Sequence, residues 1–433
     1  MLRRSIYDIS KIIKSSYMRS FVGIAVDPHY NFKDIVESAD VYKNNLKIRN
    51  RTGDIDEIIS LYTQYGKQRK EIDDLKMLKN KITKETAKDP EIIRQSKEQK
   101  EINELYATLI SKTLVLPNLT SPETPIGPEE NASIYFFNQL YLDIVTSLKL
   151  VDFESATQVT GPRFTYLQNG LVFWEYGILM YVLNKLSLKG YICMETPDLV
   201  QQNAILGCGF NPRGESTQIY NISNGNTESN VPDLSLIGTS EIPLACYNYN
   251  KMLPGSSLPL RYCGISHCFR REAGATGAKD KGLYRVHQFN KVEMYHVCLP
   301  SQSALCFDEL VSIQKEICSE IGLHARVLEM PTEELGNSAY RKIDFEAYMP
   351  GRGDYGEICS ISNCTDYQSR RLNIRSKING NRVYCHTLNG TAVALPRLFV
   401  AILETFQNKD GSVSLPDCFK PYVPERFHKL TKN

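Results

Sequence analysis

The chain has 433 residues, with 51 Lys and Arg against 49 Asp and Glu, and a net charge of +2. Such an even balance gives no indication of a nucleic-acid partner by itself, and a hydrophobic content of 42% excludes a wholly disordered chain. No run of 18 apolar residues occurs, so we predict no membrane-spanning helix and no membrane partner. At about 100–200 residues per domain, the length predicts two or three domains.

The first 20 residues carry five basic side chains, five serines and one acid. Four isoleucines between Ile6 and Ile13 recur at helical spacing, which predicts a basic amphipathic helix. This pattern is typical of an organelle import sequence, because the apolar core of a secretory signal is missing. We assign residues 1–25 to a mitochondrial import sequence and expect the protein in the mitochondrial matrix. A solvated basic N-terminus of a cytosolic protein is the alternative.

Residues 40–112 are much more charged than the rest of the chain, with 16 basic and 13 acidic side chains and one proline, Pro90. Apolar residues recur at helical intervals on both sides of it, which predicts two long polar helices in an antiparallel pair. Asp89 is the predicted N-cap of the second helix, and Pro90 fits its first turn. The narrow apolar seam predicts a projecting arm, residues 26–112. A coiled-coil dimerisation module is the alternative.

Residues 113–133 are rich in proline and polar residues and indicate a linker to a second domain, residues 134–433. There we predict a helix over residues 171–189, ended by Gly190, and an extended segment at 191–200. A hairpin is predicted around the polar stretch 224–232. Strand-like runs follow at residues 260–268, 285–297, 355–362 and 384–388, before an apolar helix at 398–405.

These strands are joined mainly by loops and hairpins, which predicts an antiparallel sheet in an α+β domain. All 12 cysteines lie in this domain without a C-x-x-C pair, so we predict free thiols and no structural zinc. Neither a G-x-x-x-x-G-K-[ST] loop nor a strand-G-x-G-x-x-G-helix unit occurs. Nucleotide chemistry would therefore need another scaffold.

Several residues of the second domain suit phosphate chemistry. Extended backbone would place Arg270 and Glu272 on one face, where a guanidinium fork matches a phosphate and a carboxylate accepts from an exocyclic amine. Glu357 and Ser360 offer the oxygen ligands that hold Mg²⁺ against phosphates. These residues, with Arg397, predict only a phosphate-anion site. Charged residues on a solvated sheet face are the alternative.

The strand predicted at residues 285–297 adds an aromatic residue and an acid to the same surface. Its alternation places four side chains on one face: Phe289, Lys291, Glu293 and Tyr295. An aromatic ring for stacking and a carboxylate for an ammonium group would thus lie on one surface, about 13 Å apart.

Together these features resemble the seryl-tRNA synthetases, a family of class II aminoacyl-tRNA synthetases, over roughly residues 30–420. Residues 32–50 and the helix pair resemble the family's tRNA-binding arm. The basic leader is most like the mitochondrial enzymes of fungi. The other stretches that carry the resemblance are motif 1 at 191–200, the serine loop at 238–241, the motif 2 region at 260–274 and 282–293, and the motif 3 region at 357–371 and 387–397.

The resemblance implies a class II antiparallel sheet flanked by helices, ATP and Mg²⁺ as cofactors, L-serine and tRNA(Ser) as substrates, and a homodimer. Arg270, Glu272 and Arg397 would be catalytic, and Glu357 with Ser360 would bind Mg²⁺. The implied ATP-binding residues are Arg270, Arg271, Glu272, Val286, His287, Gln288, Phe289, Glu357, Ile358, Cys359, Ser360 and Arg397. The implied serine-binding residues are Thr239, Ser240, Glu241, Arg270, Glu293, Asn389 and Thr391.

Within the arm, the resemblance implies contacts with tRNA outside its anticodon, along the long variable arm. Because the charges nearly balance, a local basic stripe must supply the affinity. Four lysines with no acid four residues before them, the favourable orientation of an i,i+4 pair, are the expected phosphate contacts: Lys67, Lys70, Lys81 and Lys84.

Three departures from the family pattern concern motif 3. The family usually has serine and glycine where this chain has Thr391 and Ala392, and glycine where it has Pro396. The hydroxyl survives, but fewer glycines stiffen the turn from strand to helix, so we expect a different local backbone. Pro396 is compatible with the start of a helix near Arg397.

Two other functions fit parts of the pattern. Prolyl- and threonyl-tRNA synthetases share the class II motifs, but they generally carry an anticodon-binding domain after motif 3, and too few residues follow Arg397 here. A synthetase-like tRNA-binding protein with altered catalysis is the second alternative. The intact pairs Arg270/Glu272 and Glu357/Ser360 argue against it.

Overall fold

The computed structural model describes residues 30–81, 90–120, 124, 126–127, 141–212, 217–222, 233–272 and 282–432, with the backbone alone at 72–81 and 90–100. The chain divides into two compact units, with the boundary between Leu119 and Thr120. The predicted import sequence at 1–25, the N-cap Asp89 and Lys84 lie outside the described residues. Among the helices that are described, none is both long and apolar enough to cross a bilayer.

The N-terminal unit is helical throughout its described part: α1 (Phe32–Glu37), α2 (Ala39–Ile48), α3 (Ile55–Lys81) and α4 (Pro90–Leu114). The two long helices run antiparallel, because Lys112 of α4 pairs with Glu57 of α3 at 2.7 Å while the rings of Tyr65 and Tyr106 lie 5.1 Å apart. This confirms the predicted pair of helices, with Pro90 as the first residue of α4.

The base of the arm has an apolar core of its own. Its buried side chains come from all four helices and from the segment after α4: Ile35, Leu46, Ile55, Ile58, Leu109 and Leu116. Beyond this core the exposed side chains of α3 include Lys67 and Lys70. The arm is therefore packed at its base, while residues 67–71 of α3 are polar and mostly exposed.

The second unit mixes helices and strands. Its described helices are α5 (Tyr141–Ser147), α6 (Phe153–Thr160), α7 (Gly170–Leu188), α8 (Gln202–Gly207), α9 (Glu241–Cys246), α10 (Ser303–Ile321), α11 (Tyr367–Leu372) and α12 (Leu395–Thr405). The 3₁₀ turns are Gly255–Ser257, Pro300–Gln302, Thr332–Glu334, Asp417–Tyr422 and Glu425–Phe427. The strands are β1 (Val151–Asp152), β2 (Tyr166–Leu167), β3 (Ile192–Glu195), β4 (Leu199–Gln201), β5 (Asn221–Ile222), β6 (Leu234–Leu236), β7 (Met252–Leu253), β8 (Leu260–Phe269), β9 (Gln288–Cys298), β10 (Ala325–Glu329), β11 (Arg341–Met349), β12 (Asp354–Thr365), β13 (Arg375–Ile378), β14 (Asn381–Tyr384), β15 (His386–Ala394), β16 (Val413–Ser414) and β17 (Lys429–Leu430).

Seven of the described strands form the main sheet, in the order β10-β11-β12-β15-β9-β8-β3. All neighbouring pairs are antiparallel except β3 and β8, which are parallel at one edge. The antiparallel α+β architecture predicted from the sequence is confirmed. The parallel edge was not predicted; a parallel neighbour needs a crossover connection, which the chain between β3 and β8, with β4–β7, α8 and α9, provides.

Helices α7, α10 and α12 pack with the sheet in one large apolar core. Trp174 of α7 is fully buried, and its indole nitrogen donates to the carbonyl of Phe427 at 2.7 Å. Gly190 follows α7 with φ +83°, a left-handed conformation that favours glycine and ends the helix as predicted. A smaller sheet, β4-β6-β5, contains the predicted hairpin as the antiparallel pair of β5 and β6.

One prediction of backbone conformation is wrong. The strand expected to continue through Glu272 ends at Phe269, and Glu272 has φ +45°. The chain turns there because β8 and β9 pair only as far as Phe269 and Gln288. Arg270 and Glu272 nevertheless reach the same cavity.

Candidate active site

A cavity of about 280 Å³ in the second unit is lined by residues of β9, β11, β12 and β15 and by the starts of α9 and α12. Most of the residues that the sequence predicted for the site meet on its wall. They are Thr239, Glu241, Arg270, Glu272, Val286, Phe289, Glu293, Glu357, Ile358, Cys359, Ser360, Asn389, Thr391 and Arg397.

Arg397 in the first turn of α12 lines this cavity. Its Nη1 atom lies 3.0 Å from Oε2 of Glu357 and also donates to the Glu357 carbonyl at 3.3 Å. Its Nε atom donates to the carbonyl of Tyr284, whose ring centroid lies 5.0 Å from the guanidinium carbon. The guanidinium is thus held at a fixed place, with hydrogen-bonding capacity left for an anionic group.

The carboxyl of Glu357 stays ionised well below neutral pH. Burial opposes its ionisation, but the nearby charges of Arg397, Lys342 and Arg270 outweigh burial and lower the pKa of Glu357 to about 2. The side chain still has 37% of its surface accessible. It therefore presents a stable negative charge that a cation entering the cavity can reach.

Arg270, immediately after β8, also lines the cavity. Its Nε atom donates to the carbonyl of Gly238 at 3.2 Å, and its guanidinium carbon lies 5.2 Å from the centroid of the Phe289 ring. Glu272 pairs with Arg285 at 3.1 Å between Oε2 and Nη1. A guanidinium, an aromatic face and a carboxylate therefore adjoin one another, as recognition of a phosphorylated, planar group requires.

Glu293 of β9 lies at the centre of a buried polar cluster. Asn389 of β15 donates to its Oε1 atom at 3.3 Å, and the hydroxyl of Thr391 donates to its Oε2 atom at 3.1 Å. Lys291 forms an ion pair with the same carboxylate and donates to the hydroxyl of Thr239 at 2.6 Å. The cluster offers partners for both an ammonium and a hydroxyl group of a small polar ligand.

Glu241, at the start of α9, brings a second buried carboxyl to this cluster. Burial and the neighbouring Glu293 raise its pKa to about 7, against the opposing effects of Lys291, Gln368 and Arg270. Burial and the charge of Glu293 make ionisation of Glu241 costly, and a bound cation would offset that cost. The cavity is therefore electrostatically suited to a cationic group at this end.

The cavity contains the oxygen ligands expected of a magnesium site. Glu357 and Ser360 line it together, and the ionised carboxylate with a nearby hydroxyl suits a hard cation that takes its other ligands from water and phosphates. Within the described residues no group of three or more His, Cys, Asp or Glu side chains is arranged to hold a metal ion. The two residues fit an ion bound mainly through a phosphorylated ligand.

Four predicted site residues do not lie on the cavity wall. Arg271 is exposed and contributes its backbone N–H to the Gln218 carbonyl. The hydroxyl of Ser240 points to the carbonyl of Gly264 on β8, because Ser240 is the residue that precedes the first turn of α9.

The other two lie at the entry to β9. The His287 ring is hydrogen-bonded to the Arg270 carbonyl at 2.8 Å and to the Tyr220 hydroxyl. Gln288 is exposed and faces a neighbouring cavity behind Phe289, since successive side chains of a strand point to opposite faces. The lining of the cavity gives no support to ligand contacts by the side chains of these four residues.

The cavity also contains residues that the sequence did not single out for the site: Phe210, Tyr284, Arg285, Glu334, Ser338 and Lys342. Lys342 of β11 pairs with Asp344 at 2.8 Å and faces Glu357. In the sequence, the i, i+2 spacing of Lys342 and Asp344 indicates that both side chains lie on one face of a strand. It does not reveal whether that face is buried in a site.

The motif 3 departures are accommodated in β15. The register against β9 shifts between Thr391 and Val393, so Ala392 is the extra residue of a β-bulge and is fully buried. Within the described segment 391–397 no residue has a positive φ, so none of these positions needs glycine. The helix begins at Leu395, with Pro396 in its first turn, close to the predicted start.

Comparison with known proteins now identifies the class. The family model described as tRNA synthetase class II core domain (G, H, P, S and T) matches residues 220–406, which include β8, β9, β12, β15 and most of the cavity wall. The antiparallel sheet with this cavity is therefore the core of a class II aminoacyl-tRNA synthetase.

Full-length relatives define the family more narrowly. The chain is 39% identical over 415 residues to the serine–tRNA ligase of Rubrobacter xylanophilus, covering 90% of this chain and 96% of the relative. It is 38% identical over 422 residues to that of Treponema denticola, covering 90% and 98%. The crystal structure of seryl-tRNA synthetase from Pyrococcus horikoshii complexed with ATP has a TM-score of 0.84 and 32% identity, covering 94% of this chain and all of that one. The chain belongs to the serine–tRNA ligase family, which confirms the resemblance seen in the sequence.

Proposed function

We propose that this protein ligates L-serine to the 3′ end of tRNA(Ser) through a seryl-adenylate, with ATP and Mg²⁺, in mitochondrial translation. The observation that carries the proposal is the cluster around Glu293. A carboxylate that receives hydrogen bonds from Asn389 and Thr391, beside the second acid Glu241, suits the ammonium and the hydroxyl of serine.

The first half-reaction needs no nucleophilic side chain. The serine carboxylate attacks the α-phosphorus of ATP, and pyrophosphate leaves. Arg270 binds the α-phosphate, Phe289 stacks on the adenine and Glu272 accepts from its amine. Arg397 binds the γ-phosphate. Alignment and neutralisation of charge by fixed groups account for the catalysis.

Glu357 and Ser360 would hold Mg²⁺, which would supply positive charge against the phosphates. The ion pair between Glu357 and Arg397 keeps both groups ionised and in place for ATP. In the second half-reaction a hydroxyl of the terminal ribose of tRNA attacks the serine carbonyl, and AMP leaves. No observation favours the alternative of a synthetase-like binding protein.

The arm is proposed to bind the tRNA. Its exposed lysines, Lys67 and Lys70, support a phosphate-binding stripe, while the side chain of Lys81 and the whole of Lys84 lie outside the described residues. The mitochondrial matrix, and the likeness to fungal mitochondrial enzymes, rest on the sequence of residues 1–25. The sequence relatives reported above are bacterial.

We also propose a homodimer. The outward face of α7 exposes large apolar side chains at Tyr176, Met180 and Leu188, and the edge strand β3 exposes Ile192. An exposed apolar patch beside an open sheet edge is typical of a protein interface.

Aminoacylation with radiolabelled serine tests the proposed function. The protein is expected to charge a tRNA(Ser) transcript and to leave a tRNA without the long variable arm uncharged. The Glu293→Gln variant, which keeps the side-chain shape but loses the charge, is expected to lose activity. Equal charging by this variant would contradict the assignment of the serine site.

A further inference from the structure

Gln368 of α11 lies directly behind the cavity, without contributing to its wall. It is fully buried, and its Oε1 atom accepts hydrogen bonds from the hydroxyls of Tyr295 and Thr387, both at 2.8 Å. Its Nε2 atom donates to Oε1 of Glu241 at 2.7 Å and lies 3.5 Å from the carbonyl of Cys208. All four hydrogen-bonding positions of the amide are therefore used.

The surrounding groups determine which way the amide points. A backbone carbonyl cannot donate a hydrogen bond, so the NH₂ group must face Cys208 and, with it, Glu241. The reversed amide would place its oxygen against that carbonyl and the Glu241 carboxylate. The two hydroxyls on the opposite side donate to Oε1 and hold the amide from β9 and β15.

This arrangement gives Glu241 a neutral hydrogen-bond donor. A cation at this position would pair with the carboxylate and weaken its attraction for an incoming ammonium group. The amide instead stabilises the carboxylate and leaves its net charge intact. Glu241 is thereby fixed from behind while its other face lines the cavity.

We propose that Gln368 is a positioning residue for serine, which holds the Glu241 carboxylate ionised and oriented toward the serine ammonium. The inference rests on the proposed function, because it takes Glu241 to be part of the serine site. It adds a residue outside the cavity to the determinants of serine affinity.

The proposal separates serine binding from ATP binding. In pyrophosphate exchange, Gln368→Met is expected to raise the KM for serine about ten-fold or more, since it removes a hydrogen bond to a charged group. The KM for ATP should stay within about two-fold. Thr387→Val is the matched control, because it removes one donor to Oε1 and leaves the bond from Nε2 to Glu241 in place; its serine KM should change far less.

The pH profile distinguishes positioning from general loss of packing. Other titratable or charged groups near Glu241 are Glu293, Lys291 and Tyr295 of β9, Arg270 after β8, Cys208 after α8 and Cys364 of β12. All of these remain in Gln368→Met. Without the donor Glu241 takes up a proton more easily, so the acid limb of kcat/KM for serine should move to higher pH.

The Gln368→Glu variant keeps the shape of the side chain, and its serine activation should show the opposite pH dependence. A protonated Glu at this position donates to Glu241 as the amide does, whereas an ionised one repels it. Serine activation by this variant should therefore approach wild type at low pH and fall as the pH rises. It also serves as the test if Gln368→Met does not fold.

The outcomes are distinct. A raised serine KM with the two opposite pH shifts supports the inference. If the wild type is active but the Gln368 variants keep the wild-type KM for serine and the wild-type pH profile, the inference is overturned while the proposed function stands. Equal losses of serine activation in Gln368→Met and Thr387→Val, without a shift of the pH profile, would also overturn the inference. Such losses would indicate that Gln368 acts only through packing. A wild type that exchanges no pyrophosphate with serine would overturn both the inference and the proposed function.

Discussion

At the scale of single residues, the cavity keeps charges that destabilise the fold. Glu241 and Glu293 are buried side by side, and the raised pKa of Glu241 records the cost of ionising it there. A group whose pKa is about 7 in the folded chain and near 4.5 in the unfolded chain binds more protons when folded. Its ionisation therefore opposes folding increasingly as the pH rises from about 4.5 to 7.

Glu241→Gln should accordingly be more stable than wild type at pH 8. At pH 5 the difference should be small, since wild-type Glu241 is then mostly protonated in the folded chain. Thermal unfolding of both proteins across this pH range measures the effect. The same variant should bind serine poorly, because the charge is lost. A variant less stable than wild type at pH 8 would contradict this electrostatic account.

Arg270 and Arg271 are adjacent in sequence, but only Arg270 lines the cavity. This difference gives a second test. Arg270→Ala should lower adenylate formation by about 10²-fold or more, because a fixed guanidinium at a developing phosphate charge is lost. Arg271→Ala should retain near-normal exchange, since the Arg271 side chain is exposed outside the cavity. Circular dichroism checks that both variants fold. Equal losses in the two variants would show that the cavity wall does not define the site.

Sequence patterns were sufficient for many of the residues that reach the cavity. Alternation along β9 correctly placed Phe289 and Glu293 on its wall. Gln368 was out of reach, because its role depends on contacts with α9, β9 and β15, which are distant in sequence. Ser240 does not line the cavity for a local reason: the turn into α9 directs its hydroxyl to Gly264.

At the scale of elements, the proposed role of the arm is to bind tRNA apart from the site of adenylate formation. The buried residues Ile58 and Leu109 belong to the core at its base, so removing them would unpack the unit. A deletion of residues 67–104, joined by a short Gly-Ser linker, keeps this core. It should leave serine-dependent exchange largely intact and abolish aminoacylation through loss of tRNA affinity. Monomers that lose both reactions would instead favour a dimerisation module.

Two exposed lysines of α3 offer a finer test of the arm. Lys67→Ala combined with Lys70→Ala should weaken tRNA binding and reduce the slope of affinity against salt, since fewer counterions are released. Lys33→Ala combined with Lys47→Ala is the charge-matched control on the base helices α1 and α2. Fluorescence titration at several salt concentrations measures both pairs. Equal effects of the two pairs would argue for bulk charge rather than a stripe.

Helical periodicity and the position of the proline made the arm predictable, including Pro90 as the first residue of α4. The main sheet was harder. Its strands were visible as extended apolar runs, but their order depends on long-range pairing, and the parallel edge of β3 and β8 has no local signal. The bulge at Ala392 likewise follows from the mismatch between β9 and β15.

At the scale of the whole molecule, the exposed face of α7 predicts association. Light scattering should report twice the 49.2 kDa of one chain at micromolar concentration. Met180→Asp should shift the mass toward the monomer, because a charge would be buried in the interface. Leu305→Asp, at an exposed apolar position on α10, is the control and should remain dimeric. A monomeric wild type would contradict the proposed dimer.

The central claim is that the cavity around Glu293 selects serine and activates it with ATP. Pyrophosphate exchange with serine, alanine and threonine tests it most directly on the full chain. Alanine lacks the hydroxyl and would leave the cluster's polar groups unpaired, and threonine adds a methyl group to a confined site. We predict exchange with serine and at least about ten-fold weaker exchange with each of the others. Exchange with alanine equal to that with serine, or none with serine, would contradict the account.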